Sequence, residues 1–335
     1  ECLRDAQAKG VNPADCTLVV TLEPCNHHGK TPPCTAAIIA AGIKHVVVGV
    51  RDPNPQAAGG IETLQSHGIT VEYDICAQAC RDSIADFLIW QTRKRPFVIL
   101  KMASTLDGRI ATRSGQSRWV SSEASRAKVH ALRGGVGASG GAVLIGGGTY
   151  RADNPQLTVR DGSTPARQPL ACILTSRLPA PTADSYLVQQ RPRETLFFAS
   201  PAAAASPTSH ALRDMGIRVW SVPPQSPTAK KNHTSGPSPD LELLLCRIRE
   251  ELHCPYVLCE GGGTLALSLL ESGLVDVFLL HIAPVILGDN EARPLFTGRN
   301  PLNMAEALRL RIADTHMCGQ DLHLTIRPDT SLPGT

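Results

Sequence analysis

Short apolar runs alternate with helical patterns along the first third of the chain. Residues 16–21 and 45–50 have the continuous apolar character of buried strands, and residues 35–41 form an Ala- and Ile-rich helical pattern between them. A second helical pattern over 61–67 and a strand over 69–73 repeat this cycle. Strand, helix and strand in this order predict an α/β fold with a parallel sheet.

The pattern is interrupted by the basic segment 93–96, and a new apolar strand begins at Phe97. We place a domain boundary here, with a first domain over residues 1–95 and a second over 96–330. The second domain is also predicted to be α/β, because helical patterns separate several of its strand candidates. These candidates are 97–101, 141–146, 170–175, 195–199, 217–222, 256–259 and 277–282. Residues 223–240, rich in Pro, Ser, Thr and Lys, are expected to be a mobile surface insertion.

Composition and charge exclude several classes of partner. The 335 residues include 33 Lys plus Arg and 30 Asp plus Glu, and a net charge of +3 gives no field strong enough to indicate nucleic-acid binding. Aromatic residues are only 4%, which disfavours base stacking. No apolar run reaches the roughly 18 residues of a membrane span. The 11 scattered cysteines and the lack of a signal-peptide pattern favour reduced thiols, so we expect a cytoplasmic protein.

Residues 21–34, TLEPCNHHGKTPPC, connect the first predicted strand to the first predicted helix and contain a cysteine pair. Thiolates are soft ligands that bind zinc strongly, and a loop leading into a helix can bring Cys25 and Cys34 to one tetrahedral ion. Their spacing is not a general zinc-binding spacing. From spacing alone, a loop with incidental cysteines is an equally open interpretation.

The whole string resembles the deaminase half of the bifunctional deaminase/reductase family of riboflavin biosynthesis. It is also similar to a lengthened PCxxC half of the cytidine-deaminase zinc signature. The resemblance implies that Cys25 and Cys34 are zinc ligands and that a zinc-bound water attacks the ring carbon that loses ammonia. It further implies that His27 and Lys30 contact the sugar phosphate of the substrate, while His28 has no assigned role.

The family's other half-motif, His-Ala-Glu, belongs on the helix that precedes this loop. Residues 2–6, CLRDA, match the continuation of that motif in a register that makes Glu1 a variable position. We therefore expect the zinc-binding His and the catalytic Glu to lie upstream of residue 1, although direct register leaves Glu1 open as the proton shuttle. On this interpretation the zinc site of this chain is incomplete, and deamination is weak or absent.

The second domain resembles the reductase half of the same family, whose fold is like that of dihydrofolate reductase. The matching blocks occur in order: LKMASTLDGRI at 100–110, SRWVS at 117–121, DNPQLTVR at 153–160, EGGGTL at 260–265 and IAPVILG at 282–288. The glycines 261–263 follow a predicted strand and precede a helical run, where backbone amides can approach a pyrophosphate. By itself this turn is weak support, since any tight turn also favours glycine.

The resemblance implies NADPH-dependent reduction and assigns residues to it. The implied NADPH contacts are Ala103, Trp119, Thr149, Asp153, Ser176, Gly262, Gly263, Thr264, Leu265, Ala266, Leu267 and Ser268. The implied substrate contacts are Ser117, Arg133, Leu157, Arg160 and Glu260. Guanidinium groups bind phosphate bidentately, so two arginines suit a phosphorylated sugar. The connection between Arg133 and Thr149 is longer than is usual in the family, and residues 134–141 within it are rich in glycine. We therefore expect a pliable connection that can displace Arg133. Lys101 and Asp107 either orient the sugar or form an ordinary surface pair.

We interpret the chain as a cytidine-deaminase-like domain, incomplete, followed by a dihydrofolate-reductase-like domain. The expected activities are zinc-dependent deamination of a diaminopyrimidinone carrying ribose phosphate and NADPH-dependent reduction of its ribosyl group. A homo-oligomer is expected, with this phosphorylated pyrimidine as the small-molecule partner. Two alternatives remain open. A nucleic-acid base deaminase predicts a PCxxC spacing and a basic face, which are not present; a non-catalytic dimerisation or docking module beside a working reductase follows if the zinc site is broken.

Overall fold

The computed structural model describes residues 1–29, 31–160, 167–225 and 238–328 of the chain. Its internal contacts divide the chain into two units, Glu1–Arg93 and the part from Lys94 onward. A buried ion pair fixes the start of the second unit. Arg95 donates two hydrogen bonds of 2.6 and 2.8 Å to the Asp276 carboxylate, which also accepts the backbone N–H of Val98 at 2.7 Å.

Over its described residues, the first unit is a three-stranded parallel sheet with five short α-helices. Its strands are β1 (Thr17–Leu22), β2 (His45–Val50) and β3 (Thr70–Glu72), in that order across the sheet. Its helices are α1 (Cys2–Ala8), α2 (Cys34–Ala40), α3 (Gly60–Ser66), α4 (Ala77–Ser83) and α5 (Ala85–Thr92). The core of the unit consists of Ile38, Ile43, Val46, Val48, Ile61, Leu64, Ile69 and Val71, and all of these except Ile43 lie within the predicted strands and helices.

In the second unit, nine of the described strands form one sheet. In chain order the strands are β4 (Phe97–Thr105), β5 (Arg109–Ala111), β6 (Ala142–Gly146), β7 (Leu170–Leu174), β8 (Thr195–Ala199), β9 (Arg218–Ser221), β10 (Tyr256–Cys259), β11 (Val277–Ala283), β12 (Arg293–Pro294), β13 (Leu310–Cys318) and β14 (Asp321–Pro328). The order across the sheet is β13-β14-β11-β4-β10-β6-β7-β8-β9. The strands from β11 to β9 are parallel, and β14 and β13 are antiparallel to their neighbours. Strands β5 and β12 pair separately.

Seven helices connect these strands. They are α6 (Glu123–Ala138), α7 (Gly147–Asp153), α8 (Tyr186–Gln190), α9 (Pro201–Ala204), α10 (Pro207–Asp214), α11 (Leu241–Leu252) and α12 (Gly263–Glu271), counted over the described residues. Helices α11 and α12 bury leucines and Ile248 against the strands β4, β6 and β10 in the core of the unit. None of these helices, nor any other in the described ranges, has the length and apolarity to cross a bilayer.

The structure corrects the expectation for the glycine-rich residues 134–141. Residues 134–138 are the last turn of α6 rather than a pliable connection, and Arg133 stays within the helix. Packing against the sheet evidently outweighs the low helix propensity of glycine here. Of the expected surface insertion 223–240, residues 226–237 lie outside the described residues; Gln225 and Ser238, on either side, are joined by a backbone hydrogen bond of 2.7 Å.

Candidate active site

The two predicted zinc ligands meet in the first unit. Cys25 lies in the loop after β1, and Cys34 is the first residue of α2; the backbone N–H of Cys34 donates to Cys25 Sγ at 3.4 Å. Partial burial and the adjacent Cys25 raise the pKa of the Cys34 thiol. The loop thus brings two soft ligands together, as zinc requires.

A complete zinc site is not formed by the residues that the structure describes. No group of three His, Cys, Asp or Glu side chains able to hold a metal occurs among them. His27 and His28 are exposed, and Lys30 lies outside the described residues. Because a catalytic zinc needs three protein ligands and an open position, the described residues fit this metal only in part.

Glu23 holds the loops around the cysteine pair in place. Its buried carboxylate accepts the backbone N–H groups of Asp52 and Ile61, each at 3.0 Å. Asp52 in turn accepts the N–H of Asn54 at 2.8 Å within the DPNP loop. Burial raises the pKa of Asp52, and the charge of Glu23 adds to this effect. The loop of residues 52–55, DPNP, is therefore fixed by the buried carboxylate of Glu23, which the sequence analysis did not single out.

The second candidate site lies at the carboxyl ends of parallel strands in the large sheet. Glu260 follows β10, Thr149 lies on the helix that follows β6, and Ser176 follows β7. Ala103, near the end of β4, is in register with His281 of β11. Open α/β sheets bind their ligands at this edge. The topology therefore collects residues that are far apart in sequence.

The triple-glycine turn forms one wall of this site. Gly261 has φ 96°, and its carbonyl accepts the N–H of Gly146 at 2.8 Å. A β-carbon at Gly263 would collide with the Leu295 carbonyl oxygen, and one at Gly262 would lie 3.0 Å from Thr149 Oγ1. Only glycine lets the backbone come this close to Leu295 and Thr149 at the amino end of the nine-residue helix α12. The free amides there suit a pyrophosphate, so this cradle fits a dinucleotide such as NADPH.

Arg133 and Glu260 form a buried bidentate pair beside this turn. Arg133 Nε and Nη2 donate to the Glu260 carboxylate at 2.6 and 2.5 Å, and Nη1 donates to the Thr158 carbonyl at 3.0 Å. Burial acts to raise the pKa of Glu260, but the charge of Arg133 outweighs it and holds that pKa low. Burial lowers the pKa of Lys101 to about 8, and Glu260 opposes that shift. Two cations and one anion therefore lie close together in a largely buried part of the unit.

Lys101 and Asp107 are not a surface pair. Lys101 belongs to the Arg133 and Glu260 cluster. Asp107 instead accepts the backbone N–H groups of Leu287 and Gly288 at 3.2 and 2.9 Å and the hydroxyl of Thr105 at 2.6 Å. The hydrogen bond from Thr105 lowers the pKa of Asp107 to about 2. Asp107 therefore organises a turn, while Lys101 is available to the site.

Trp119, an implied NADPH contact, is 68% exposed and lies between two arginines. The Cζ atoms of Arg126 and Arg118 are 4.4 and 5.9 Å from its ring centroid. The loop that carries Trp119 and Ser117 leads directly into α6. An exposed indole flanked by guanidinium groups offers a stacking surface for an aromatic, anionic ligand.

The remaining implied contacts differ in accessibility. Leu157 is buried with φ 53°, a conformation that non-glycine residues seldom adopt. Partial burial and the charge of Arg133 lower the pKa of Arg160. Partial burial raises the pKa of Asp153, against the charge of Arg118. Ser176 is exposed.

The implied NADPH contacts along α12 can act only in part through side chains. Leu265, Ala266 and Leu267 are buried in the core. The Ser268 hydroxyl donates to the Thr264 carbonyl at 3.0 Å, one turn into the helix. Contact with a dinucleotide at this helix would therefore come mainly from the backbone of Gly262, Gly263 and Thr264.

A polar network on the same sheet was missed from the sequence. Asp321 Oδ2 accepts from Ser122 N and Oγ, both at 2.8 Å, and from Ser125 Oγ at 2.5 Å. Ser125 also bonds His323 Nε2 at 2.8 Å, and the His323 ring stacks on His281 with centroids 3.5 Å apart. Burial lowers the pKa of His281 to about 3. The network ties the start of α6 to the sheet; only the serine at a helix start could have indicated it beforehand.

Family models match both units of the chain. Residues 96–324 match the RibD C-terminal domain, and residues 2–50 match the cytidine and deoxycytidylate deaminase zinc-binding region. Together with the sheet-edge site and the cysteine loop, these matches define an α/β enzyme with a deaminase-type region followed by a reductase domain.

Individual relatives agree with this class. The riboflavin biosynthesis proteins RibD of Aquifex aeolicus and Escherichia coli K12 are each 35% identical to this chain, covering 91% and 92% of it and 79% and 81% of their own lengths. The solved deaminase/reductase of Thermotoga maritima matches with a TM-score of 0.69 at 32% identity, over 97% of this chain and 83% of that one. RibD of Acinetobacter baumannii gives 0.68 at 33% identity, over 98% and 84%. The chain belongs to the RibD family of riboflavin biosynthesis enzymes, which confirms the predicted family and fold class.

Proposed function

We propose that residues 96–330 form an NADPH-dependent reductase that converts 5-amino-6-(5-phosphoribosylamino)uracil to its ribitylamino product. The observation that carries this proposal is the buried cluster of Arg133, Glu260 and Lys101 beside the triple-glycine turn. Arg133 and Arg160 supply positive charge for a phosphorylated sugar. The solved T. maritima relative has this uracil derivative in its name.

Different residues of this site would bind the cofactor and donate the proton. Gly262, Gly263 and Thr149 would hold NADPH, which supplies a hydride to the ribosyl C1′ when bound. Opening the sugar ring also requires a proton on the ring oxygen. Lys101, with its pKa lowered to about 8 by burial, is mostly protonated at pH 7 and can give that proton. The bidentate pair with Arg133 fixes the Glu260 carboxylate within the site.

We propose that residues 1–95 form the deaminase domain, acting on the diaminopyrimidinone precursor of that substrate. The cysteine pair and the match to a deaminase zinc-binding region support this assignment over a docking module. The described residues supply Cys25 and Cys34 alone as zinc-type ligands at this place, so they do not by themselves explain hydrolysis.

The reductase proposal is tested by following NADPH oxidation with the purified chain and 5-amino-6-(5-phosphoribosylamino)uracil. Oxidation that depends on this substrate, with the ribitylamino product identified by mass spectrometry, is the expected result. A folded chain that binds NADPH but gives no product would contradict the proposal. The diaminopyrimidinone, offered alone, reports separately on deamination.

We further propose a cytoplasmic homo-oligomer. All 11 cysteines are free, as expected in a reducing compartment. The edge strand β13 exposes Leu310, Ile312 and Met317, and an unpaired apolar edge favours pairing with the same strand of a second copy. Light scattering of the wild type and of Ile312→Lys tests this, with a smaller species expected for the variant.

A further inference from the structure

Arg191 is a buried cation that holds the backbone of the segment 154–160. It directly follows α8 and is only 6% exposed. Its Nη1 donates to the carbonyl groups of Gln156 and Leu157 at 3.1 and 3.4 Å, and its Nη2 donates to the Pro169 carbonyl at 2.9 Å. Because Pro169 directly precedes β7, the guanidinium ties the segment to the start of a strand of the large sheet.

The charge of Arg191 is not balanced by an ion pair with any described residue. The hydrogen bonds of its guanidinium within the described ranges all go to backbone carbonyl groups. Burial lowers the pKa of Arg191, and the charge of Glu194 opposes this shift. A buried charge costs more free energy than an apolar side chain of similar size. Packing therefore does not explain an arginine at this position, whereas its carbonyl contacts do.

The segment that Arg191 holds leads directly to the Arg133 and Glu260 pair. Leu157 has φ 53°, which is sterically unfavourable for a residue with a β-carbon, so this turn depends on contacts from outside it. The next carbonyl, that of Thr158, accepts from Arg133 Nη1 at 3.0 Å. Arg160, the second cation implied in substrate binding, follows two residues later. The turn at Leu157 therefore determines where Thr158 and Arg160 lie relative to Arg133.

Two further side chains hold the segment, but at positions on either side of this turn. The Asn154 side chain makes hydrogen bonds of 3.1 and 3.0 Å with the backbone of residues 184–186. The Gln168 side-chain oxygen accepts the N–H of Val159 at 2.8 Å. Among the described residues, Arg191 is thus the one whose side chain binds the two carbonyl groups of the turn itself.

We propose that Arg191 is a positioning residue of the reductase. By holding the carbonyl groups of Gln156 and Leu157, it keeps the turn in the shape that presents Arg133 and Arg160 to the phosphorylated substrate. The inference rests on the proposed function, because it takes 5-amino-6-(5-phosphoribosylamino)uracil as the ligand. Since Arg191 acts through the backbone of this segment, its loss should weaken binding of the uracil nucleotide and not of the cofactor.

The test is isothermal titration of the uracil nucleotide, and separately of NADPH, into the full chain. Arg191→Met is expected to raise the Kd of the nucleotide about tenfold and to change that of NADPH by less than about twofold. Arg191→Lys keeps the charge, but one ammonium group cannot bridge Leu157 and Pro169 as the planar guanidinium does, so a rise of about threefold to fivefold is expected.

Arg213→Met is the matched control. Arg213 Nη2 also donates to two backbone carbonyl groups, those of Ala204 and Val219 at 3.2 and 2.8 Å, but beside the edge strand β9. Its nucleotide Kd should stay within about twofold of the wild-type value. If Arg191→Met does not fold, Arg191→Lys carries the test, because its expected change exceeds this limit.

A nucleotide Kd that is unchanged in Arg191→Met, or restored to the wild-type value by Arg191→Lys, would overturn the proposal. Equal rises for the nucleotide and NADPH, or for Arg191→Met and Arg213→Met, would overturn it too, because they indicate a general loss of structure. NADPH oxidation on the same samples tests the proposed function separately. A wild type that binds the nucleotide with the expected dependence on Arg191 but does not reduce it contradicts the reductase assignment and supports the positioning role.

Discussion

The two candidate sites of this chain differ in what holds their polar groups. In the first unit, Cys25 and Cys34 touch on a loop, and no further zinc-type ligand joins them within the described ranges. In the second unit, the side chains of Arg133 and Glu260 are only 12% and 13% exposed and bond each other in bidentate geometry. The side chains of the second site are therefore held together by a buried ion pair, whereas a single hydrogen bond from a backbone N–H to a sulfur joins the two cysteines of the first.

This difference predicts how each site responds to mutation. Two buried charges that pair with each other are held in position before any ligand binds. Removing one of them leaves the other unpaired in the protein interior, where a charge is poorly solvated. A cysteine pair on a loop contributes little to the packing of the sheet behind it. Changes in the second site should therefore affect both stability and activity, and changes in the first should leave the reductase intact.

Arg133→Met should have the largest effect, because it leaves the Glu260 carboxylate buried without its partner. We expect a loss of about 3–5 kcal/mol in the free energy of unfolding, measured with urea, and loss of NADPH oxidation. Adding Glu260→Gln should restore much of the stability but none of the activity.

Arg113→Met is the matched control for this prediction. Arg113 pairs with Asp289 at 2.7 Å, but its side chain is 67% exposed and the pair is screened by water, so its removal should change the free energy of unfolding far less than Arg133→Met does. Equal losses for the two arginine variants would show that the Arg133 and Glu260 pair is not preorganised by burial.

Lys101→Met should lower kcat for NADPH oxidation by about 100-fold, the scale of a lost general acid. In the wild type, the lowered pKa of about 8 means that Lys101 loses its proton as the pH rises through 8, so kcat should fall on the alkaline side. That alkaline limb should be absent from the variant. Lys101→Arg keeps the charge without a proton to give, and it should resemble Lys101→Met. A wild-type kcat that does not change between about pH 7 and 9 would show that Lys101 is not the general acid.

The sequence placed the central strands of the second unit well because their apolar runs are buried on both faces of the sheet. Strands β8 and β10 have the predicted limits of 195–199 and 256–259. The hairpin of β13 and β14 was not predicted, because most of β13 is exposed and gives no apolar run. An exposed edge strand in which apolar and polar residues are mixed is recognised only from its neighbour in the sheet.

The residues of the candidate site could be predicted from the sequence, but the contacts between them could not. The resemblance named Arg133 and Glu260 separately, and nothing in the sequence pairs residues 127 positions apart. Lys101 had an open interpretation until its burial beside that pair was visible. Asp321 was missed because one acidic residue near a turn has no pattern of its own. Its three donors come from the start of α6, about 200 residues earlier, as the fold alone shows.

Asp321→Asn should have a smaller effect than either substitution in the cluster. Burial acts to raise the pKa of Asp321, but the hydrogen bonds from Ser125 and Ser122 outweigh it and hold that pKa low. Because the pKa is lower in the folded state than in the unfolded state, Asp321 stabilises the fold at pH values above its unfolded pKa of about 4. This contribution is lost as the pH falls through the pKa of the folded state. We expect the variant to lose about 1–2 kcal/mol at pH 7, by urea unfolding, and less at low pH. Asp314→Asn, an exposed residue of β13, is the control.

The smallest effect on the reductase should come from the cysteine pair. The purified chain should hold well under one zinc per molecule, because the described residues add no third ligand to the two thiolates, and two thiolates alone bind this metal poorly. Cys25→Ser combined with Cys34→Ser should remove the remaining zinc and leave NADPH oxidation unchanged, as should treatment with a chelator. Cys16→Ser, at an exposed cysteine of the same unit, is the control for zinc content. A full equivalent of zinc in the wild type, lost only in the Cys25 and Cys34 variant, would show that the loop completes its metal site after all. A fall in reductase rate on chelation would show that the second site also depends on a metal, and the contrast between the two would then disappear.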